Sequence, residues 1–327
     1  MRIVVMGTGA FAVPMFEGLL AAGHAVPALI TRPVPPPTGR KKETTHPNPM
    51  RDFAEAHGIP VFAPDTTNEP TARDMLQGLQ PDLFAVCDFG EILSNETLAV
   101  APLGGINLHA SLLPKYRGAA PIHWAILRGE QVTGVSVIHM TPKLDGGPLL
   151  AVRKTPIGFE ETNAELEPRL AQLGIEPVLD AVNLLATWDR SSVIGTLQDA
   201  SQVTSARRLR KTDGNVTWTR SAERIRNQVR GLKPWPGTFT HLFKPNSPPL
   251  RIILDHVSLI AESTSSNQPP GSIAFVDAAH LHIQTGQGLL ALDRVQPAGK
   301  RAMDIREFLR GHALSAGIRL GNVEARE

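Results

Sequence analysis

Residues 3–23 read IVVMGTGAFAVPMFEGLLAAG, which is an apolar run, a glycine turn and then a helix-like pattern. Such an order predicts a strand that leads into an amphipathic helix. Short apolar runs then alternate with helix patterns, at 25–31, 49–57, 71–79, 83–87, 106–109, 121–128, 135–140 and 149–154. This alternation predicts a Rossmann-like α/β fold with a mainly parallel sheet, in which the last two runs form the edge.

The second half of the chain has a different pattern. A capping-box sequence opens a long apolar-striped helix over residues 162–188, and the composition then shifts to Ser, Thr and Gln. We therefore predict a first domain at 1–189 and a linker at 190–205. Short apolar runs separated by turn residues predict a smaller C-terminal β-barrel domain, OB-like in form, over 206–327.

Composition excludes several classes of protein. The chain has 33 Lys+Arg against 31 Asp+Glu, a net charge of only +2, which excludes a polybasic DNA-coating protein, and no DNA partner is expected. Cys87 is the single cysteine, so an intrachain disulfide and a cysteine-based zinc site are both excluded. The first residues read as a strand, and no stretch has the roughly 18 consecutive apolar residues of a membrane helix. We therefore expect a cytoplasmic protein without membrane contact.

The glycine turn also matches a dinucleotide-binding pattern. Residues 7–12, GTGAFA, fit G-x-G-x-x-A between a strand and a helix. The acid that would hold the ribose hydroxyl is missing, because the second strand ends Ile30-Thr31-Arg32. Arg32 could instead meet a 2′-phosphate, so an NADP-binding reductase or sensor remains an alternative, with an ordinary tight turn as the simpler interpretation.

A candidate catalytic group lies at the end of the strand 106–109. Asn107 and His109 are two residues apart, so both project from one face, about 6.5–7 Å apart along the strand. Open α/β sheets bind ligands at the carboxyl ends of their strands. An amide can donate to a developing oxyanion, an imidazole can move protons, and Asp145, in a glycine-rich turn, could orient the imidazole. Spacing alone also leaves a purely structural role for His109 open.

These motifs together resemble the family of formyltransferases that use 10-formyltetrahydrofolate. The central match is Asn107-x-His109 with Ser111-Leu112-Leu113-Pro114, Arg117-Gly118 and Leu144-Asp145-x-Gly147. Within the family, the similarity is to members that formylate the α-amino group of methionyl-initiator tRNA. Matching segments occur in the family's order along nearly the whole chain, at 6–14, 39–42, 117–122, 218, 230–237 and 296–303.

The resemblance implies a role for each of these residues. Asn107 would stabilise the oxyanion, His109 would polarise the formyl group and manage protons, and Asp145 would support His109. Eight residues would border the 10-formyltetrahydrofolate: Phe89, Gly90, Ile92, Leu93, Ser111, Leu112, Leu113 and Pro114. No metal is required by any ligand cluster visible in the sequence.

The expected partner is initiator methionyl-tRNA, bound by a protein that the family suggests is a monomer. Contacts with the tRNA are expected from Arg40, Lys41 and Lys42 on a proline-rich loop, and from Arg207, Arg208, Arg210 and Lys211. Arg226 and Arg230, at i and i+4 of a helix, could also meet phosphates or form an ordinary solvated face. The rival functions are formyl transfer to a sugar-nucleotide amine or to a glycinamide nucleotide, and tRNA binding without catalysis.

The chain departs from the family's pattern in several places, among them the shorter, proline-rich loop around Arg40, and Gly146, where Thr is frequent. Asp88-Phe89-Gly90 stands where Ala-Tyr-Gly is usual, which places an acid beside the expected folate site. Gly9 follows Gly7-Thr8 where the family commonly has Gly-Thr-Pro.

Overall fold

The structure, a computed structural model, describes residues 1–33, 48–260, 268–315 and 318–322. The predicted tRNA-binding residues Arg40, Lys41 and Lys42 therefore lie outside the described residues. The chain divides into two compact units. Unit 1 contains Met1–Pro121, Val132–Pro156 and Glu165–Arg207, and unit 2 contains Ile122–Gln131, Ile157–Ala164 and the described chain from Arg208 onward.

Unit 1 is built on a seven-stranded sheet in the order β3-β2-β1-β4-β5-β6-β7. Its strands are β1 (Ile3–Gly7), β2 (Leu29–Ile30), β3 (Val61–Phe62), β4 (Leu83–Cys87), β5 (Gly105–His109), β6 (Val132–His139) and β7 (Leu149–Pro156). The first five strands pair in parallel and the last two pair antiparallel. β1 and β4 are apolar and buried at every position, as expected for central parallel strands covered on both faces. The predicted mainly parallel sheet is confirmed.

The helices follow the predicted alternation. They are α1 (Val13–Ala21), α2 (Pro49–Ala56), α3 (Pro70–Gly78), α4 (Asn95–Leu98), α5 (Pro121–Arg128), α6 (Asn163–Leu173), α7 (Ile175–Ala186), α8 (Ala222–Gly231) and α9 (Ile305–Gly311). Proline at the start of α2 and α3 fits positions whose backbone N–H would have no helical partner. Within the described ranges, no helix has the length and apolar character that crossing a bilayer requires.

The stretch predicted as one helix over 162–188 is two helices, with Gly174 between α6 and α7. Pro177 has no backbone N–H and cannot donate to the carbonyl four residues before it, so the regular ladder is interrupted there. A Cβ at Gly174 would lie 2.6 Å from a methyl carbon of Leu108 on β5, so a larger residue there would displace that side chain. The prediction of a single helix is wrong because the hydrogen-bond ladder is interrupted at Pro177.

Unit 2 contains an antiparallel sheet in the order β10-β11-β12-β9-β8-β14, with β13 paired to β12. Its strands are β8 (Thr238–Phe243), β9 (Leu250–Leu259), β10 (Ile273–Val276), β11 (Leu281–Gln284), β12 (Leu289–Pro297), β13 (Met303–Asp304) and β14 (Arg319–Gly321). A bridge between Ser272 and Arg319 joins the two outer strands, and the N–H of Ile273 donates to the Ile318 carbonyl at 2.8 Å. The predicted C-terminal barrel is confirmed as a nearly closed sheet. Ile225 and Val229 of α8 and Phe308 of α9 pack into its core.

Arg226 and Arg230 of α8 do not form a phosphate-binding face, so this prediction is wrong. Arg226 is only 3% exposed, and its Nη2 donates to the Phe159 carbonyl and to Glu160 Oε1, the latter at 2.8 Å. Arg230 is buried, and its Nη1 donates to the Glu161 carbonyl at 3.0 Å. Burial, above all, lowers the pKa of Arg230. Both guanidinium groups therefore hold residues 158–161 against α8.

Replacing Arg226 by Ala should lower the free energy of unfolding by about 1–3 kcal/mol, because the Phe159 carbonyl loses its donor. The loss also removes the guanidinium that stacks 3.6 Å from the centre of the Phe159 ring. Urea denaturation, with its slope held constant, measures the change. Arg224→Ala is the matched control, since Arg224 is exposed on the same helix and should cost less than about 0.5 kcal/mol. Equal losses in the two variants would contradict a structural role for Arg226.

Candidate active site

The candidate site lies at the carboxyl end of β5 in unit 1. Asn107 pairs with Val86 of β4 and Ile138 of β6, while His109 pairs with Ser136 of β6. Asn107 is half-buried, and its carboxamide makes no hydrogen bond to any other described residue. The alternation of the strand places Asn107 and His109 on the same face, as predicted from their spacing.

Both ring nitrogens of His109 face oxygen atoms. Nε2 lies 2.9 Å from the carbonyl of Tyr116, which can only accept, so this nitrogen carries a proton. Nδ1 lies 3.7 Å from Asp145 Oδ1, close enough for an ion pair but too far for a direct hydrogen bond. Both side chains are at least nine-tenths buried. A proton on Nδ1 can therefore be directed to the carboxylate or to a substrate oxygen placed beside the pair.

The Asp145 carboxylate is fixed by the backbone of the Arg117-Gly118 motif. The N–H of Gly118 donates to Asp145 Oδ2 at 2.8 Å, which leaves Oδ1 toward His109. Gly118 has φ +120°, and a Cβ there would lie 2.7 Å from the carbonyl of Ala206. Glycine is therefore required, because a side chain would push this N–H away from the carboxylate.

The segment predicted as a linker contributes to the candidate site. Thr196 pairs with Leu149, and the hydroxyl of Thr204 accepts from the N–H of Tyr116 at 2.8 Å. Arg117 donates its N–H to the Thr204 carbonyl at 2.9 Å and accepts from Ala206 at 2.7 Å. The domain boundaries at 189 and 205 stay a prediction, but these hydrogen bonds hold residues 196–206 within unit 1.

The loop from Ser111 to Pro114 is held by a serine that the sequence analysis missed. Ser136 Oγ donates to the Ser111 carbonyl at 2.7 Å and accepts from the N–H of Leu113 at 3.1 Å. The hydroxyl of Ser111 donates to the Lys115 carbonyl at 2.7 Å. A lone serine on a buried strand has no distinguishing pattern in sequence. Its function emerges only from the pairing of β5 with β6.

The second predicted folate-binding segment follows β4. Phe89 and Leu93 are buried in a core cluster, so their side chains support the loop from beneath. Gly90 is exposed and Ile92 is half-exposed, which leaves backbone and one apolar side chain open to a ligand. Glu91 fixes the loop by accepting at Oε1 from the N–H of Thr67 at 3.0 Å.

The side chain of Asp88 contacts the glycine turn that follows β1. Its carboxylate accepts a hydrogen bond from the N–H of Gly9, and a Cβ on Gly9 would lie 1.9 Å from Asp88 Oδ2. Although part of the side chain reaches solvent, burial raises the pKa of Asp88 to about 6, and the charge of Glu167 adds to the rise. A carboxylate at this turn opposes a pyrophosphate there by charge and by competition for the N–H, which argues against the dinucleotide alternative.

The basic residues at 207–211 are exposed. Arg207 ends unit 1, and Arg208, Arg210 and Lys211 begin unit 2. The backbone N–H of Arg210 donates to Asp213 Oδ2 at 2.7 Å, which fixes the turn that follows. The four side chains thus differ from Arg226 and Arg230 in facing solvent.

The comparisons with known proteins cover both units. The family described as "Formyl transferase" matches residues 1–182, and "Formyl transferase, C-terminal domain" matches residues 208–313. "Methionyl-tRNA formyltransferase" of Rhodopirellula baltica is 43% identical over 98% of this chain and 96% of its own length. The protein of the same name from Methylococcus capsulatus is 41% identical over 98% of this chain and all of its own length.

A solved structure shows the same fold at lower identity. The crystal structure of WlaRD, a sugar 3N-formyl transferase in the presence of dTDP and 5-N-formyl-THF, aligns with a TM-score of 0.64. It is 17% identical and covers 92% of this chain and 99% of its own. At that identity the likeness extends to the fold alone.

Replacing Asp88 by Asn should change how stability depends on pH. Its pKa rises from 3.8 to about 6 on folding, so the unfolded state binds fewer protons between about pH 4 and 6. The free energy of unfolding should therefore fall as pH rises through this window, and Asp88→Asn should remove that part of the fall. The Asn side chain can still accept from the N–H of Gly9.

Thermal unfolding of the two proteins at pH 4.5 and pH 7.5 measures this effect. Asp88→Asn should gain at the higher pH relative to the lower one, by roughly 2–4 °C in Tm for each kcal/mol relieved. Asp74→Asn, on the exposed face of α3, is the control for loss of one surface charge. The same gain at both pH values would show that the ionisation of Asp88 is not responsible.

Proposed function

The chain belongs to the formyl transferase family, and on that premise we propose that it transfers the formyl group of 10-formyltetrahydrofolate to the α-amino group of methionyl-initiator tRNA. The products are formylmethionyl-tRNA and tetrahydrofolate. The observation that carries this function is the full-length identity of 43% and 41% to two proteins named methionyl-tRNA formyltransferase. A folate-type formyl donor belongs to the family as a whole, and the 10-formyl form is the proposal.

Asn107, His109 and Asp145 fit the chemistry of acyl transfer. The reaction forms a bond between the α-amino nitrogen and the formyl carbon and breaks the bond from that carbon to the folate nitrogen. Asn107 has a half-buried carboxamide with no hydrogen-bond partner among the residues that the structure describes, so it can donate to the formyl oxygen as that oxygen gains negative charge. We therefore propose that Asn107 stabilises the oxyanion.

His109 and Asp145 are proposed to manage the protons. The attacking amine loses one proton, and the departing folate nitrogen takes one up. Nδ1 of His109 lies 3.7 Å from Asp145 Oδ1, so the carboxylate can stabilise the ring while it is protonated. The carbonyl of Tyr116 holds the opposite nitrogen and fixes the plane of the ring.

The donor is proposed to lie against the two loops that follow β4 and β5. At the first loop, the exposed backbone around Gly90 and the half-exposed Ile92 can meet a flat ring. At the second loop, Ser136 holds the backbone of residues 111–113 in place. The residues Phe89, Leu93 and Ser111 act by supporting these loops, since their side chains are buried.

The test compares methionyl-tRNA with an aminated sugar nucleotide as acceptor, with 10-formyltetrahydrofolate as donor in both cases. Formylation of methionyl-tRNA alone is expected, because the relatives with full-length identity carry that name. Transfer to the sugar nucleotide alone would favour the sugar-nucleotide alternative. Retention of tRNA without turnover would identify a silent binding protein.

His109→Ala should lower the rate of formyl transfer to methionyl-tRNA by a factor on the order of 10²–10⁴, because the proton carrier is removed. His57→Ala is the matched control, since His57 is exposed at the end of α2 in the same unit. Circular dichroism should show both variants folded. Near-normal turnover in His109→Ala would remove the assigned role.

The tRNA is proposed to contact the exposed residues Arg208, Arg210 and Lys211 of unit 2, with Arg207 beside them in sequence. Contacts from Arg40, Lys41 and Lys42 to the tRNA are proposed on the family resemblance alone. Guanidinium and ammonium groups bind phosphates and release counterions, so binding should weaken as salt rises. A monomer working in the cytoplasm, without a DNA partner, remains our expectation.

Replacing Arg208, Arg210 and Lys211 together by Ala should weaken methionyl-tRNA binding and lower the slope of log K against log salt by about 2–3. Affinity for the folate donor should not change. Filter binding at several salt concentrations measures the slope. Ala at Lys154, Arg190 and Arg306, three exposed positions elsewhere, is the control for an equal loss of charge. An unchanged slope would place the tRNA contacts elsewhere.

A further inference from the structure

Gln198 contacts the backbone of the Asp145 turn at two points. Its Nε2 donates to the carbonyl of Asp145 at 2.8 Å and to the carbonyl of Gly147 at 2.7 Å. The turn lies between β6 and β7 and is not part of a strand ladder, so its backbone depends on contacts of this kind. Asp145 also has φ +47°, a left-handed conformation that costs a non-glycine residue energy. The two bonds from Gln198 hold the backbone in this conformation.

The orientation of the Gln198 amide is determined by its partners. Its Oε1 accepts from Arg117 Nη2 at 2.6 Å and from Arg117 Nε at 3.2 Å. A flipped amide would direct NH₂ at the guanidinium and oxygen at two carbonyls, so each of these contacts would become repulsive. The Gln198 amide therefore has one arrangement. Arg117 fixes the orientation of the amide, and the amide in turn fixes the backbone of the Asp145 turn.

Arg117 and Gly118 thus hold Asp145 from both ends. The N–H of Gly118 donates to the carboxylate at 2.8 Å, and the side chain of Arg117 acts through Gln198 on the Asp145 carbonyl. With the carboxylate held at one end and the backbone at the other, little freedom remains for the Oδ1 that faces His109. Loss of the hydrogen bonds from Gln198 would let the turn relax and move Asp145 Oδ1.

We propose that Gln198 is a positioning residue for Asp145, and that its two hydrogen bonds set the distance between the Asp145 carboxylate and His109. This inference rests on the proposed function, because the distance matters only if His109 handles the protons of formyl transfer. It gives a specific task to a glutamine in a segment whose composition indicates only a linker. The bonds, and not the volume of the side chain, are the essential feature.

The first experiment measures kcat and KM for Gln198→Ala with methionyl-tRNA and 10-formyltetrahydrofolate. The kcat should fall by roughly 10–100-fold, because a displacement of about 1 Å in a catalytic group costs that much. Both KM values should stay within about threefold, since Gln198 is proposed to touch neither substrate. Gln202→Ala is the matched control: its amide is on the same segment but donates to Asp199 at 2.8 Å, and kcat should not change.

Gln198→Glu separates hydrogen bonding from volume. Glutamate has nearly the same shape, but its ionised carboxylate would place an acceptor against the two carbonyls, so kcat should fall at least as far as in Gln198→Ala. Wild-type kcat in Gln198→Glu would overturn the proposal. Thermal unfolding of each variant shows whether the protein is still folded, and Gln198→Glu remains informative if the alanine variant is unstable.

The final experiment combines Gln198→Ala with Asp145→Asn. If Gln198 acts only through the Asp145 carboxylate, the double variant should have the kcat of Asp145→Asn within about twofold. A merely structural role would add its own loss and give a lower kcat, which would overturn the proposal. An inactive wild-type protein would instead contradict the proposed function, so the two failures are distinguishable.

Discussion

The arrangement of the candidate site depends on holding one carboxylate against one imidazole where no regular structure supports the carboxylate. Asp145 lies in an irregular turn with a left-handed backbone, yet its Oδ1 is 3.7 Å from His109 Nδ1. Each contact that fixes it comes from another part of the chain, namely the Gly118 N–H and the Gln198 amide. The central sheet holds the backbone of His109 rigidly, and hydrogen bonds from distant residues hold Asp145 in the same way. Such rigidity lets charges be stabilised without reorganisation during the reaction.

Much of the fold was predictable because its signals are local. The runs at 83–87 and 121–128 match β4 and α5 to the residue, since an unbroken apolar run and a helical period are legible within a few positions. The spacing of Asn107 and His109 likewise places both on one strand face. The link from Asp145 to His109, 36 positions earlier, was weaker from the sequence, because a glycine-rich turn after a strand only allows such a contact, and the family resemblance strengthened it.

Other features depend on contacts between distant residues, and no local pattern reports them. Arg226 and Arg230 have the spacing of an exposed basic face, but residues 158–161 cover them. Their guanidinium groups therefore donate to that segment and do not face solvent. Gln198 lies in a segment whose composition is typical of a linker, and Ser136 is a single small residue on a strand, so neither stands out in the sequence. In each case the partner lies tens of positions away, and its direction is set by how the chain packs.

The contact between Asp88 and Gly9 has a consequence for substitution at either position. Both positions depart from the usual family pattern, and the structure joins them, because a Cβ on Gly9 would lie 1.9 Å from Asp88 Oδ2. Proline at position 9 would carry that carbon and would lack the N–H that the acid needs. With proline at position 9, the Asp88 carboxylate would have to rotate away from its present place. Each residue therefore limits what the other position can carry, and the two are best regarded as a single unit of this turn.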